Sequence, residues 1–342
     1  MELARYVAIL GLSFLCVNQA LAQQDPQFTQ NMNNRLFVNP AFAGMNNAIC
    51  AYMLGRQQWV GFEGRPESYL FGVHGEYTLP FVNVQSGSGL NIISDRVGQN
   101  HHLGVKGSYS LHLPVNIFAN DPGTLGIGVA LGFLQLSVGN NWRAVDQFFG
   151  DPSIPDNGLQ KSGFDFDFGL YYKTSKGLYI GASATHLTQT KFEEGGEGLG
   201  GGFANNPEVV DWNISYEMAA HYYLMAGYDI PLPNNPLFVL QPSVFLKSDA
   251  VSAQVDLNMN VEYNNMFWGG VSWRYIDAFA LLGGINWSPG IIPGGLRFGY
   301  AYDVTTSRIN TGSSGSHELF LQYCLQLKKP VPVQKHKSPR FL

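Results

Sequence analysis

The stretch VSAQVDLNMNVEY, Val251 to Tyr263, alternates without a break. Val251, Ala253, Val255, Leu257, Met259, Val261 and Tyr263 hold one parity, while Ser252, Gln254, Asp256, Asn258, Asn260 and Glu262 hold the other. Side chains of a strand alternate faces with period two, whereas a helix would mix both sets around its circumference. The period predicts a strand with one apolar and one polar face. The apolar row can meet a protein core or lipid, and one strand does not separate those readings.

The copies along the chain do. Similar segments recur at Asn47–Gln58, Ser68–Leu79, Gly87–Asp95, His102–Leu113, Thr124–Val138, Gly163–Tyr172 and Leu178–Leu187. They continue at Ile214–Ile230, Leu237–Lys247, Met266–Tyr275, Ala278–Trp287, Leu296–Thr305 and Glu318–Leu327, about fourteen strands in all. The sharpest sets Phe164, Phe166, Phe168, Leu170 and Tyr172 against Asp165 and Asp167. In Thr124–Val138 the parity flips at Phe133-Leu134, which predicts a bulge.

Aromatic residues make up 13% of the chain, charged residues only 13%, and there are 40 glycines. An ordinary globular domain carries about 25% charged residues. No later segment is long and apolar enough for a spanning helix of about 20 residues. Low charge, many aromatics and much glycine fit a transmembrane β-barrel, with a secreted β-sandwich or propeller as the alternative. The connections discriminate. The long ones, Gly139–Ser162, Thr188–Asp211 and Thr306–Ser316, all follow odd-numbered strands, and short turns such as Asn264-Asn265 lie opposite. That phase agreement selects an all-β, antiparallel outer-membrane barrel of about fourteen strands with both termini periplasmic. In it Asp165 and Asp167 would be solvated lumen residues, and Trp268, Trp273, Trp287 and Tyr300 would form interfacial girdles.

Residues 1–22 read as a signal peptide: a charged start at Met1–Arg5, an apolar run Tyr6–Val17 and a small-x-small site at Ala20-Leu21-Ala22. An N-terminal periplasmic or luminal segment, 23–45, precedes the barrel, 46–327, and a basic periplasmic tail, 328–342, follows it. Cys50 and Cys324 remain after cleavage, in the first and last strands, which closure sets side by side. Two unpaired buried thiols are preferred there over a disulfide. A net charge of -5 without a basic stripe excludes nucleic acid as a partner.

Nothing in the chain amounts to an active site, and no cofactor or metal is expected. No GxSxG, HExxH or P-loop pattern occurs. His101 and His102 are adjacent and so point to opposite faces of a strand, which is poor for shared metal binding. The Asp151…Asp156-Asn157 segment lacks the spacing of a calcium loop, and Gly195–Gly202 reads as a flexible loop. An envelope hydrolase is therefore the third choice.

Three stretches are partner-binding candidates. The N-terminal segment holds Phe28, Asn39, Pro40 and Phe42, and the first loop holds Arg56 and Trp59. The Pro-punctuated tail holds Lys335, Lys337, Pro339, Arg340, Phe341 and Leu342. Their scaffold readings are a luminal plug, a girdle turn and a solvated end.

At these residues the sequence resembles the PorP/SprF family of type IX secretion system membrane proteins. The shared wording is DPQFTQNMNN…NPAFAG (Asp25–Gly44), RQQWVGFEGRPES (Arg56–Ser68) and QPSVFLKS (Gln241–Ser248). It continues through DLNMNVEYNNMFWGGVSWR (Asp256–Arg274), FGYAYDVTTS (Phe298–Ser307), GSHELFLQY (Gly315–Tyr323) and PRFL (Pro339–Leu342), while Asn140–Asp211 departs from it. The resemblance implies a non-enzymatic outer-membrane barrel in contact with lipid. It also implies an accessory or anchoring role in secretion and gliding. Its implied partners are a secreted adhesin's C-terminal domain and periplasmic or peptidoglycan-associated components. A passive solute channel, motivated by the polar rows, is the alternative function.

Overall fold

The structure, a computed structural model, describes residues 25–79, 84–118, 120–139, 159–200, 208–288, 290 and 293–326. The expected signal peptide and the expected basic tail lie outside the described residues. Strands β1 (Ala48–Gln57), β2 (Glu67–Leu79), β3 (Val84–Val97), β4 (Asn100–Pro114), β5 (Gly123–Val138), β6 (Leu159–Thr174) and β7 (Tyr179–Thr185) form the first half of a wall. After the hairpin β8 (Lys191–Gly200) and β9 (Glu208–Glu217) come β10 (His221–Gly227) and the short spur β11 (Ile230–Leu232). The second half adds β12 (Asn235–Ser248), β13 (Ala253–Tyr263), β14 (Phe267–Arg274), β15 (Ala278–Trp287), β16 (Gly295–Thr305) and β17 (Ser316–Gln326).

Neighbouring strands pair antiparallel, β1 also pairs with β17, and β10 bridges β7 and β12, so the sheet closes. Fourteen strands make the ring; β11 only extends the β12 edge, and β8–β9 is a separate two-stranded sheet. Closure leaves no unpaired edge, the condition for a sheet to cross a bilayer whose interior offers no water. The Asn264-Asn265 turn has φ of 52° and 51°, the type I′ geometry whose twist matches a two-residue hairpin.

The wall is apolar outside and charged inside. Every wall strand exposes a large apolar side chain, from Met53, Phe71 and Leu131 to Phe168, Leu281 and Leu319. The opposite parity buries Lys106, Asp165, Asp167, Asp256, Asn258, Asn260, Arg274 and Glu318. A continuous apolar belt of this kind would be costly in water and is satisfied by acyl chains. In β13, Leu257 and Met259 face outward while Asp256 and Asn258 are buried, as the parity of the opening stretch predicts.

Several local expectations fail for identifiable reasons. No bulge interrupts β5, whose register runs unbroken against β4 and β6. Phe133 points out, and Leu134 and Leu136 point in, where they pack on Phe192 and Met218 from the hairpin. The expected strand Ile214–Ile230 is three pieces, and the expected loop Thr188–Asp211 contains β8, because β9 pairs back onto β8 above the wall. Part of the expected flexible run Gly195–Gly202 is therefore strand, to Gly200. Trp268 is buried rather than girdling, with the Arg297 guanidinium 4.6 Å from its ring centre. Cys50 and Cys324 are bonded, not free, because register places them directly opposite, with Cα atoms 4.1 Å apart.

Candidate functional site in the barrel lumen

Residues 25–47 run through the lumen, from the end where β7 finishes to the end where β1 begins. The polar segment FTQNMNNRLFVNPAFAG has no period of its own. Its only regular structure is one helical turn, α1 (Arg35–Val38), and a 3-10 turn at Pro40–Phe42. Asn39 makes the second turn start where it does, because its Oδ1 accepts the Ala41 N–H at 3.0 Å and Pro40 supplies a pre-set φ. Wall side chains satisfy several of the remaining backbone groups.

Near the long-loop end, Thr29 lies at the centre of a charge cluster. Its hydroxyl donates to Asp303 Oδ2 at 2.7 Å and accepts from Arg56 Nη1 at 2.8 Å and Arg274 Nη2 at 3.3 Å. The successive Thr29 and Gln30 N–H groups each donate at 2.7 Å to one oxygen of the Glu318 carboxylate. Arg56 Nη2 pairs with Asp303 at 2.8 Å, and Arg274 links Asp303 at 3.2 Å to Asp256 at 3.3 Å. All of these side chains are essentially buried. Removing one partner of such a pair costs about 3–5 kcal/mol, since the other charge is left without water.

A second cluster holds the first described residue. Asp25 Oδ1 lies 2.9 Å from His186 Nε2, its other carboxylate oxygen accepts from the Tyr223 hydroxyl, and its carbonyl accepts from Lys247 Nζ at 2.7 Å. His186 Nδ1 in turn lies 2.8 Å from Asp165. Lys106 Nζ sits 2.6 Å from Asp165 and 2.8 Å from Asp167. Asp165, Asp167 and His186 have the geometry of a three-ligand metal set. The Lys106 ammonium already occupies the cation's place between the carboxylates, so the set is compensated by protein. Asp165 and Asp167 are thus not the solvated pore residues expected; both are about as buried as a core leucine, at 1% and 2% exposure.

Below these clusters the NPAFAG segment lies in a notch of small residues. A methyl group on Gly126 would sit 2.6 Å from the Ala41 carbonyl oxygen, and one on Gly87 or Gly128 would overlap the Ala43 or Ala41 backbone. Ser110 Oγ donates to the Ala41 carbonyl at 3.0 Å, Ser183 Oγ to the Val38 carbonyl at 2.6 Å, and Asn39 Nδ2 to the Leu170 carbonyl at 3.0 Å. The Phe42 ring meets Tyr171 edge-on at 5.2 Å.

The candidate residues therefore separate. Phe28, Asn39, Pro40 and Phe42 are buried against the wall, and Arg56 is not in the first loop but on β1, buried on its inward face. Trp59 stays half-exposed at the long-loop end, its backbone N–H donating to Ser316 Oγ at 3.0 Å. Lys335, Lys337, Pro339, Arg340, Phe341 and Leu342 lie outside the described residues. Asp25, Thr29, Lys106, His186, Arg274, Asp303 and Glu318 were missed as a site. Their signal was the rarity of charge in a chain only 13% charged, combined with inward parity for those on strands.

An antiparallel ring of fourteen strands, apolar outside, with buried charges inside and its own N-terminal segment through the lumen, defines an outer-membrane β-barrel. The chain belongs to the PorP/SprF family: the family described as "Type IX secretion system membrane protein PorP/SprF" matches residues 20–323. It is a family of secretion-system membrane proteins and not of enzymes. Among solved structures, the chain is similar to a TodX deltaS2S3 mutant monoaromatic hydrocarbon channel. They share 13% identity and a TM-score of 0.52, over 86% of this chain and 94% of that one. It is also similar to the P. putida toluene transporter TodX, at 10% identity and a TM-score of 0.49, covering 87% and 95% of the two chains. At such identities the likeness concerns the barrel fold. No curated protein matches the chain in sequence.

Proposed function

We propose that the protein is a plugged anchor of the type IX secretion and gliding machinery. It supports export or surface attachment of a partner adhesin, whose C-terminal domain meets the long-loop end. The opposite mouth, where β1 begins and β17 ends, faces periplasmic or peptidoglycan-associated components. The observation that carries this reading is the lumen itself. Residues 25–47 run along it with their backbone bonded to wall side chains, and Phe192 and Met218 of the loop hairpin pack on the inward Leu134 and Leu136. A conduit for solutes needs that volume free, whereas an anchor gains rigidity from filling it.

The test is crosslinking in intact cells with an affinity tag between Gly200 and Glu208, at the tip of the β8–β9 hairpin. Recovery of a large secreted adhesin together with periplasmic machinery is the expected result. Recovery of the barrel alone at good crosslinking yield, with steady ion-selective conductance of the purified protein in planar bilayers, would overturn the anchor in favour of the solute channel.

A further inference from the structure

The inward row of β13 finds partners at every position but one. Asp256 accepts from Asn31 Nδ2 of the plug at 3.2 Å and pairs with Arg274 at 3.3 Å. Asn258 Nδ2 donates to Asn31 Oδ1 and to Ser243 Oγ, both at 3.2 Å. Glu262 pairs with Arg297 at 3.3 Å. Asn260 lies between them at 2% exposure, and its amide has no hydrogen-bond partner among the described residues. Leaving a buried amide unanswered is costly, so such a group marks a place where something else binds. Asn260 borders a cavity of about 190 Å³ at the short-turn end of the lumen, with Arg35, Asp229, Gln241, Arg297 and Gln322 among others. The Gln322 side chain is also without a hydrogen-bond partner among the described residues.

Charge and volume define what fits there. Arg297 is paired with Glu262, while Asp229 accepts from Gln241 Nε2 at 3.1 Å and stabilises the Arg35 charge across the cavity. The bordering charges are thus balanced, and an ionic ligand of either sign would bring its own charge in uncompensated. Liquid water occupies about 30 Å³ per molecule, so the space takes about six waters, or about a dozen covalently linked heavy atoms. What the cavity still offers is hydrogen bonding by primary amides, each with one acceptor oxygen and an NH₂ that donates twice. A hydroxyl donates and accepts through one atom, so two adjacent hydroxyls can answer both ends of an amide. A peptide fragment of the same size carries far fewer such groups. We propose that this cavity binds one neutral sugar ring, with the amides of Asn260 and Gln322 as its contacts. Two sources share that chemistry, a free monosaccharide and the end of a glycan chain. The site stands independently of the anchor reading.

Saturation-transfer NMR on the full-length protein in detergent tests it, with glucose, galactose, mannose and N-acetylglucosamine as probes. At least one of the four is expected to bind. The uronic acid and the amino sugar of the same ring should bind at least about tenfold more weakly, since each carries an uncompensated charge. Asn260→Ala should weaken the neutral sugar roughly tenfold, the factor for one lost hydrogen bond. Gln322→Ala, at a half-buried position, gives the same reading if Asn260→Ala folds poorly. The trisaccharide of the preferred sugar then separates the sources. Binding retained identifies a glycan end, and binding lost identifies a free sugar. No transfer to any of the four would mean that the cavity holds water only and would overturn the proposal. Equal binding of neutral and charged rings, or binding unchanged in both variants, would overturn it as well.

Discussion

Asp25 carries its charge where there is almost no water, so its neighbours decide its protonation. Burial pushes the carboxyl up, but His186, His221 and Lys247 together outweigh it and hold the group well below the usual carboxylate range. For His186, burial and Lys106 oppose the charge, while Asp25 and Asp165 overcome them and raise the imidazole to about 9. Linkage gives the sign for each. A depressed Asp25 contributes stability above its unfolded value of about 3.9, lost as pH falls. A raised His186 contributes fully below its unfolded value of about 6.5, and that contribution is lost as pH rises through the folded value. Amide hydrogen exchange over residues 25–31, corrected for intrinsic rate, should stay protected near pH 6 and lose protection between pH 7 and 10. A flat profile across that range would contradict the assignment of the two charges.

At the scale of elements, the plug fits because the wall gives way to it. β5 presents Gly126, Gly128 and Ala130 inward, and the Ala41 backbone lies against the first two where any side chain would collide. Gly128→Val should therefore expel the NPAFAG segment while leaving the ladder to β4 and β6 intact, since valine is a good strand former. Overpacking of this kind costs about 1–3 kcal/mol. Limited proteolysis should cut the variant within residues 25–47 at a protease level that leaves wild type whole. Continued protection would show that the segment is not seated by this notch. The hairpin β8–β9 teaches the complementary point. Leu134 and Leu136 look like a register error along β5 alone, and become ordinary core residues once Phe192 and Met218 fold over them.

Across the whole molecule, stability depends on keeping two solvents apart. The belt residue Leu281 is 63% exposed and pairs with Val271 on β14 and with Tyr302 on β16. Leu281→Arg places a cation on the lipid face and should destabilise the barrel in vesicles by about 2–4 kcal/mol if the site lies at the bilayer midplane. The same substitution should be close to neutral in a mild detergent that lets the guanidinium reach water. Folding titrations in the two media check this, and equal costs in both would argue against lipid contact at that strand.

The number of ring strands and the facing of most rows were legible in the chain, because a membrane-spanning strand must satisfy both solvents with residues adjacent in sequence. Period two is a local property, and Val251–Tyr263 or Gly163–Tyr172 carries it alone. Closure, too, was legible in the phase of the long loops. What joins Thr29 to Glu318 or Asp25 to His186 was not, since those partners lie far apart in sequence and no local pattern encodes their meeting. The N-terminal segment has no period because it makes no ladder; its backbone is satisfied by side chains from many strands. Tertiary structure alone decided that the lumen is filled, because a polar interior demands partners for its charges and the chain's own first residues supply them.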